Sequence, residues 1–94
     1  MIKVVSRAVV KFSKIGEYTE MALKLADETR KEEGCISYDL YRNRDKENIL
    51  TFIEEWEDMD FLEKHFNTSH FKKYVPLLEE MREASQLDIY EPVK

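Results

Sequence analysis

Several stretches of this chain alternate like β-strands yet carry large apolar side chains on both alternate faces, and that pattern restricts the possible folds more than any other feature. Residues 2–10 (IKVVSRAVV) are rich in β-branched residues, which favour a pleated strand. Alternation puts Ile2, Val4, Ser6, Ala8 and Val10 on one face and Lys3, Val5, Arg7 and Val9 on the other. In residues 35–42 (CISYDLYR) the same reading sets Ile36, Tyr38 and Leu40 against Cys35, Ser37, Asp39 and Tyr41. In residues 49–56 (ILTFIEEW) it sets Leu50, Phe52, Glu54 and Trp56 against Ile49, Thr51, Ile53 and Glu55. A last strand is expected over 85–91, with Leu87 and Ile89 on one face and Pro92 ending it. A sheet with one solvated face would show polar residues at every second position; these strands do not.

The intervening segments repeat with a helical period. Ile15, Tyr18, Met21, Ala22, Leu25, Ala26 and Thr29 form one apolar stripe in a helix predicted over 14–33. Ser13 is its candidate cap, Glu17 and Glu20 suit its positive end, and Arg30 and Lys31 its negative end. Gly34 follows as a left-handed stop. Residues 43–48 are a polar hairpin connection. A short helix is predicted over 58–67, capped by Asp58, and a second helical segment over 69–83. Phe71, Tyr74, Val75, Leu78 and Met81 recur there at helical spacing, and Pro76 is expected to bend or restart it.

The order is β-α-β-β-α-β, with the second helical unit broken in two. It specifies an α+β, ferredoxin-like fold: a four-stranded antiparallel sheet with helices on one face. Those helices shield one face only. The economical cover for the other is the same face of a second copy, giving a homodimer packed through the sheet face. Residues 1–94 read as a single domain without linker or repeat.

Composition narrows the function classes. Hydrophobic content of 43% with 37% charged residues fits a globular rather than a disordered chain. The net charge of -5 and the absence of any basic stripe beyond Lys72-Lys73 argue against nucleic acid and anionic membrane surfaces as partners. Lys3, Ser6 and Arg7 interrupt the apolar start, no run suffices for a membrane span, and the lone Cys35 suits a reducing compartment. A cytoplasmic location is expected. With two glycines there is no phosphate-binding or dinucleotide fingerprint.

The chemistry concentrates between Leu50 and Phe71, which holds the only Trp and both His. On a strand Glu54 and Trp56 point the same way, about 7 Å apart. His65 shares an inward helix stripe with Phe61 and Leu62. These three groups are expected at one pocket mouth, with His65 moving protons, Glu54 orienting it or raising its pKa, and Trp56 giving a flat wall for a planar substrate. The competing reading is structural: Glu54 and His65 satisfy each other's buried hydrogen bonds and Trp56 is core. Phe52 and Tyr74 join Trp56 as candidate substrate-binding residues; the other aromatic side chains are expected mostly in the core, with a minority edging an aromatic-lined cavity. A metal on His65 and His70 is not expected. Five residues along a continuous helix set side chains about 140° apart, the break expected near Thr68 leaves the geometry unpredictable, and no third ligand is evident. Cys35 follows a helix stop and reads as buried filler, and Glu32-Glu33 as a solvated helix face.

Three pieces carry a family resemblance: TRKEEGCISYDLYRN (29–43), FIEEWEDMDFLEKHFNTSHFKKYVPLL (52–78), and the β-rich first strand leading to Gly16-Glu17. In these the chain resembles the antibiotic biosynthesis monooxygenase family of dimeric α+β barrels. The resemblance implies cofactor-free oxidation of a small quinol or phenol by dioxygen, with relatives that degrade haem or isomerise phosphorylated signalling sugars. It matches Trp56 to the pocket Trp of the oxygenases, His65 to the helix His, and Glu54 to the carboxylate before the aromatic residue. The haem branch's pocket Asn and ligating His have no counterparts in 2–12 or 71–83. The isomerase branch shares the Glu and His but has a Tyr-like group at Trp56, so a proton-transfer enzyme is the alternative, followed by a non-catalytic ligand-binding dimer.

Overall fold

The computed structural model describes residues 1–94 and has the expected element order. Strand β1 (Ile2–Val10) leads through a single 3₁₀ turn, Phe12–Lys14, into helix α1 (Ile15–Thr29). Strands β2 (Cys35–Arg42) and β3 (Ile49–Trp56) form a hairpin. Helices α2 (Met59–Phe66) and α3 (Ser69–Glu80) follow, and β4 (Arg82–Tyr90) closes the sheet. All pairings are antiparallel and the strand order is β2-β3-β1-β4. None of the helices is long and apolar enough to cross a membrane.

The register confirms the alternation. Ile2, Val4, Ser6 and Ala8 stand opposite Trp56, Glu54, Phe52 and Leu50. Together with Val10 and Tyr38 they form the floor of the core, over which α1 lays Tyr18, Ala22, Leu25 and Ala26, α2 lays Leu62, and α3 lays Leu78. The opposite face has no helix over it. Val5, Val9 and Ile53 lie there half-buried beside exposed Tyr41 and Tyr90 and the Lys3–Glu55 ion pair, whose Nζ and Oε1 are 3.3 Å apart.

Local chemistry sets the joints. Asn43 Oδ1 accepts from the backbone N–H groups of Asp45 (2.9 Å) and Lys46 (3.0 Å) and shapes the hairpin. Gly34 has φ of +83°, and a Cβ there would lie 2.1 Å from the Phe61 ring, so the position needs glycine for both conformation and space. Asp58 and Thr68 cap α2 and α3, each accepting from the N–H of Phe61 and Phe71 respectively at 3.2 Å.

Five local expectations are corrected. Ser13 does not cap α1: it lies inside the 3₁₀ turn, and Lys14 precedes the helix without a side-chain cap. The helix stops at Thr29, four residues before the expected end, and residues 30–34 turn. A bulge between Cys35 and Ser37 breaks the alternation of β2, so Cys35 pairs with Trp56 and packs on the core while Ile36 is exposed. Helix α3 runs through Pro76 unbroken. Pro76 and Lys72 are both exposed, so water satisfies the carbonyl that lacks a donor. Strand β4 begins at Arg82 rather than 85, because Val10 pairs with Arg82 across a register shift.

Candidate functional site

Between sheet and helices lies a cavity of about 230 Å³. Four aromatic side chains line it, Tyr18 from α1, Tyr38 from β2, Phe52 from β3 and Phe71 from α3, with Leu25, Val75 and Leu78 between them. The end toward β4 is polar, where Ser6, Arg82 and Gln86 line it. Burial raises the Tyr18 hydroxyl pKa, and the neighbouring Arg82 guanidinium partly opposes that rise. Burial holds the Tyr38 phenol well above its ordinary value. Such a cavity is compatible with binding of a small molecule.

His65 stands behind this cavity. Its imidazole centroid is 5.4 Å from the Tyr38 ring and 5.1 Å from the Phe71 ring, two members of the cavity wall. The side chain is 1% exposed, and burial lowers its pKa despite the pull of Glu32. A neutral imidazole results at neutral pH. Its Nδ1 lies 2.7 Å from Glu32 Oε2, so Nδ1–H donates to the carboxylate and Nε2 keeps the lone pair. Nε2 has no hydrogen-bond partner within the chain, and His65 itself is not part of the cavity lining.

The expected partnership of Glu54 with His65 is corrected. Glu54 Oε1 instead accepts from the Trp56 indole N–H at 2.9 Å. Burial raises its pKa to about 7; the indole bond lowers it and the Glu32 charge raises it further. Trp56 is wholly buried, with its ring centroid 4.8 Å from His65. It backs the imidazole and does not line the cavity. Phe52 does line it. Tyr74 borders an outer recess with Glu28, Ser69, His70 and Lys73. The cavity aromatics Tyr18, Tyr38 and Phe71 are those that sequence reasoning left in the core. No spacing in the sequence marks them, because they come from three separate elements, α1, β2 and α3.

Glu32 was also missed, having been read as solvated. With α1 ending at Thr29, the following turn swings its side chain inward to 12% exposure. There Oε2 meets His70 Nε2 as well as His65 Nδ1, both at 2.7 Å. The angular objection to joining the two imidazoles fails because the helix breaks at Asn67 and Thr68 between them. The expectation that no third ligand exists fails too: Glu32, His65 and His70 present donor atoms within 4.8 Å of one another. Cys35 is no nucleophile in this setting. Burial and the Glu32 and Glu54 charges push its thiol up to about 11.

Residues 1–77 match the family model described as antibiotic biosynthesis monooxygenase. A crystal structure titled as an antibiotic biosynthesis monooxygenase superposes with a TM-score of 0.95 at 29% identity, covering all of both chains. A conserved protein from Methanosarcina mazei Go1 is 40% identical, with a TM-score of 0.92 over 95% of this chain and 89% of that one. YcnE of Bacillus subtilis, provisionally named a monooxygenase, is 33% identical over 75 residues, which is 80% of this chain and 79% of YcnE. The chain spans only 45% of the length of a Synechocystis relative to which it is 33% identical over 66 residues.

Proposed function

Given that this chain belongs to the antibiotic biosynthesis monooxygenase family, we propose that it is a cofactor-independent monooxygenase acting on a small quinol or phenol with dioxygen. The observation that carries this reading is a cavity lined in part by four aromatic side chains and abutting a neutral imidazole with a free Nε2. A planar substrate stacks among Tyr38, Phe52 and Phe71, and its polar edge meets Ser6 and Arg82. His65 Nε2 takes a phenolic proton, and Glu32 steadies the imidazolium that forms. Dioxygen oxidises the electron-rich anion: one oxygen atom enters the ring, the other leaves as water, and the quinol becomes a hydroxyquinone. The apolar walls keep bulk water from the anion. Glu54 acts through Trp56, holding the indole that backs His65.

Oxygen uptake across a panel of hydroquinones tests this. His65→Gln is expected to lower kcat by about 10²–10⁴, the usual worth of a positioned base, with the melting temperature monitored as a folding control. Undiminished uptake in that variant, or none with any quinol in the parent, defeats the reading. Turnover that persists without oxygen identifies a proton-transfer isomerase instead.

The partner is a second copy. The helix-free sheet face bears Val5, Val9, Ile53, Tyr41 and Tyr90, more apolar surface than a solvated face carries. Sedimentation is expected to give a dimer at micromolar concentration. Ile53→Glu, which buries a charge in that interface, is expected to give a monomer. A parent that sediments as a monomer overturns the assembly.

A further inference from the structure

We infer that Glu32, His65 and His70 form a binding site for a divalent transition-metal ion of the zinc and cobalt class. Three donors arrive from three different places: the turn after α1, the last turn of α2 and the first turn of α3. Two imidazole nitrogens and one carboxylate oxygen form a donor set that such cations favour, and three protein ligands leave a coordination position open. The donor atoms converge: Oε2 is 2.7 Å from each nitrogen, and no pair is more than 4.8 Å apart. Tetrahedral zinc with bonds of about 2.0–2.1 Å needs donors about 3.3 Å apart. The carboxylate must therefore withdraw by a few tenths of an ångström and His70 must close in. His70 has room to do so, being 17% exposed and bordering the outer recess. His65 is instead fixed by Trp56, Tyr38 and Phe71, so the least mobile ligand is pre-positioned.

The proton accounting is simple. Each imidazole now donates N–H to Oε2. On metal binding each neutral ring keeps its proton but carries it on the other nitrogen, Nε2 of His65 and Nδ1 of His70, so a lone pair on each faces the ion. Neutral rings thus release no proton; a charged one releases one. The metal site needs only these three side chains, but it shares His65 and Glu32 with the proposed reaction: a loaded site puts a proton on His65 Nε2 and removes the proposed base, so metal binding and turnover are read separately.

Titration of the full chain with Co²⁺, followed by the absorption of the bound ion, and with Zn²⁺ by calorimetry tests it. One ion per chain is expected, with a higher melting temperature in the loaded protein. His70→Ala, at the accessible ligand, is expected to weaken binding at least about tenfold while the metal-free melting temperature changes little. Glu32→Gln is expected to weaken binding by a similar factor. Absence of saturable binding of either ion, or binding that His70→Ala leaves unchanged, overturns the site.

Discussion

Trp56→Ala is expected to leave the chain largely unfolded at room temperature, or to lower its melting temperature by on the order of 20 °C or more. The indole has no solvent exposure and closes the core under Val4, Leu62 and His65. Removing a buried aromatic side chain costs about 3–5 kcal/mol in lost burial and residual cavity. The change also strips Glu54 Oε1 of its donor, and an unsatisfied buried acceptor adds about 1–3 kcal/mol. Domains of this size have total stabilities of about 5–15 kcal/mol, and each kcal/mol moves the melting point by about 4–8 °C. Trp56→Phe keeps most of the burial and is expected to lose roughly half as much. Thermal denaturation of the three proteins at one pH decides; a Trp56→Ala protein melting within a few degrees of the parent contradicts this account of the core.

The second large effect is a pH dependence of unusual sign. A carboxyl whose folded pKa is raised, here from 4.5 to about 7, binds its proton more tightly when folded. Its contribution is full below the unfolded value and is lost as pH climbs through 7. At 1.36 kcal/mol per unit the loss is about 3 kcal/mol. His65 works the other way below its ordinary 6.5, because burial lowers its folded pKa, so the parent's own curve mixes both. Comparison with Glu54→Gln separates them. The amide oxygen still accepts from Trp56 N–H but does not ionise. Relative to the parent, the variant is expected to gain up to about 3 kcal/mol between pH 4.5 and 8 by urea denaturation. A pH-independent difference refutes the raised pKa.

Much of this molecule was legible in the chain because its signals are local and periodic. Strand alternation placed Val4, Glu54 and Trp56 on one face, and the helical stripe placed Tyr18, Ala22 and Leu25 over it. Asp58 declared its cap and Gly34 its left-handed turn. What stayed hidden depends on contacts between distant segments. Periodicity assumes that a strand keeps its phase, so the bulge that turns Cys35 inward left no trace. Glu32 looks like any solvated acid until α1 is known to end at Thr29 and two imidazoles require an acceptor. Glu54 and His65 were rightly drawn as inward polar groups, but which group each would bond was decided by side-chain reach across the core, which spacing does not encode.

The central position of β1, between β3 and β4, has a consequence for biosynthesis. Lys3 pairs with Tyr90, so β1 waits for roughly eighty more residues before its outer neighbour exists. At ribosomal speeds of about 5–20 residues per second that delay is about 4–16 s, during which β1 keeps at least one edge unpaired. Chaperone capture in that interval is the natural safeguard, and the sheet closes only once β4 has emerged.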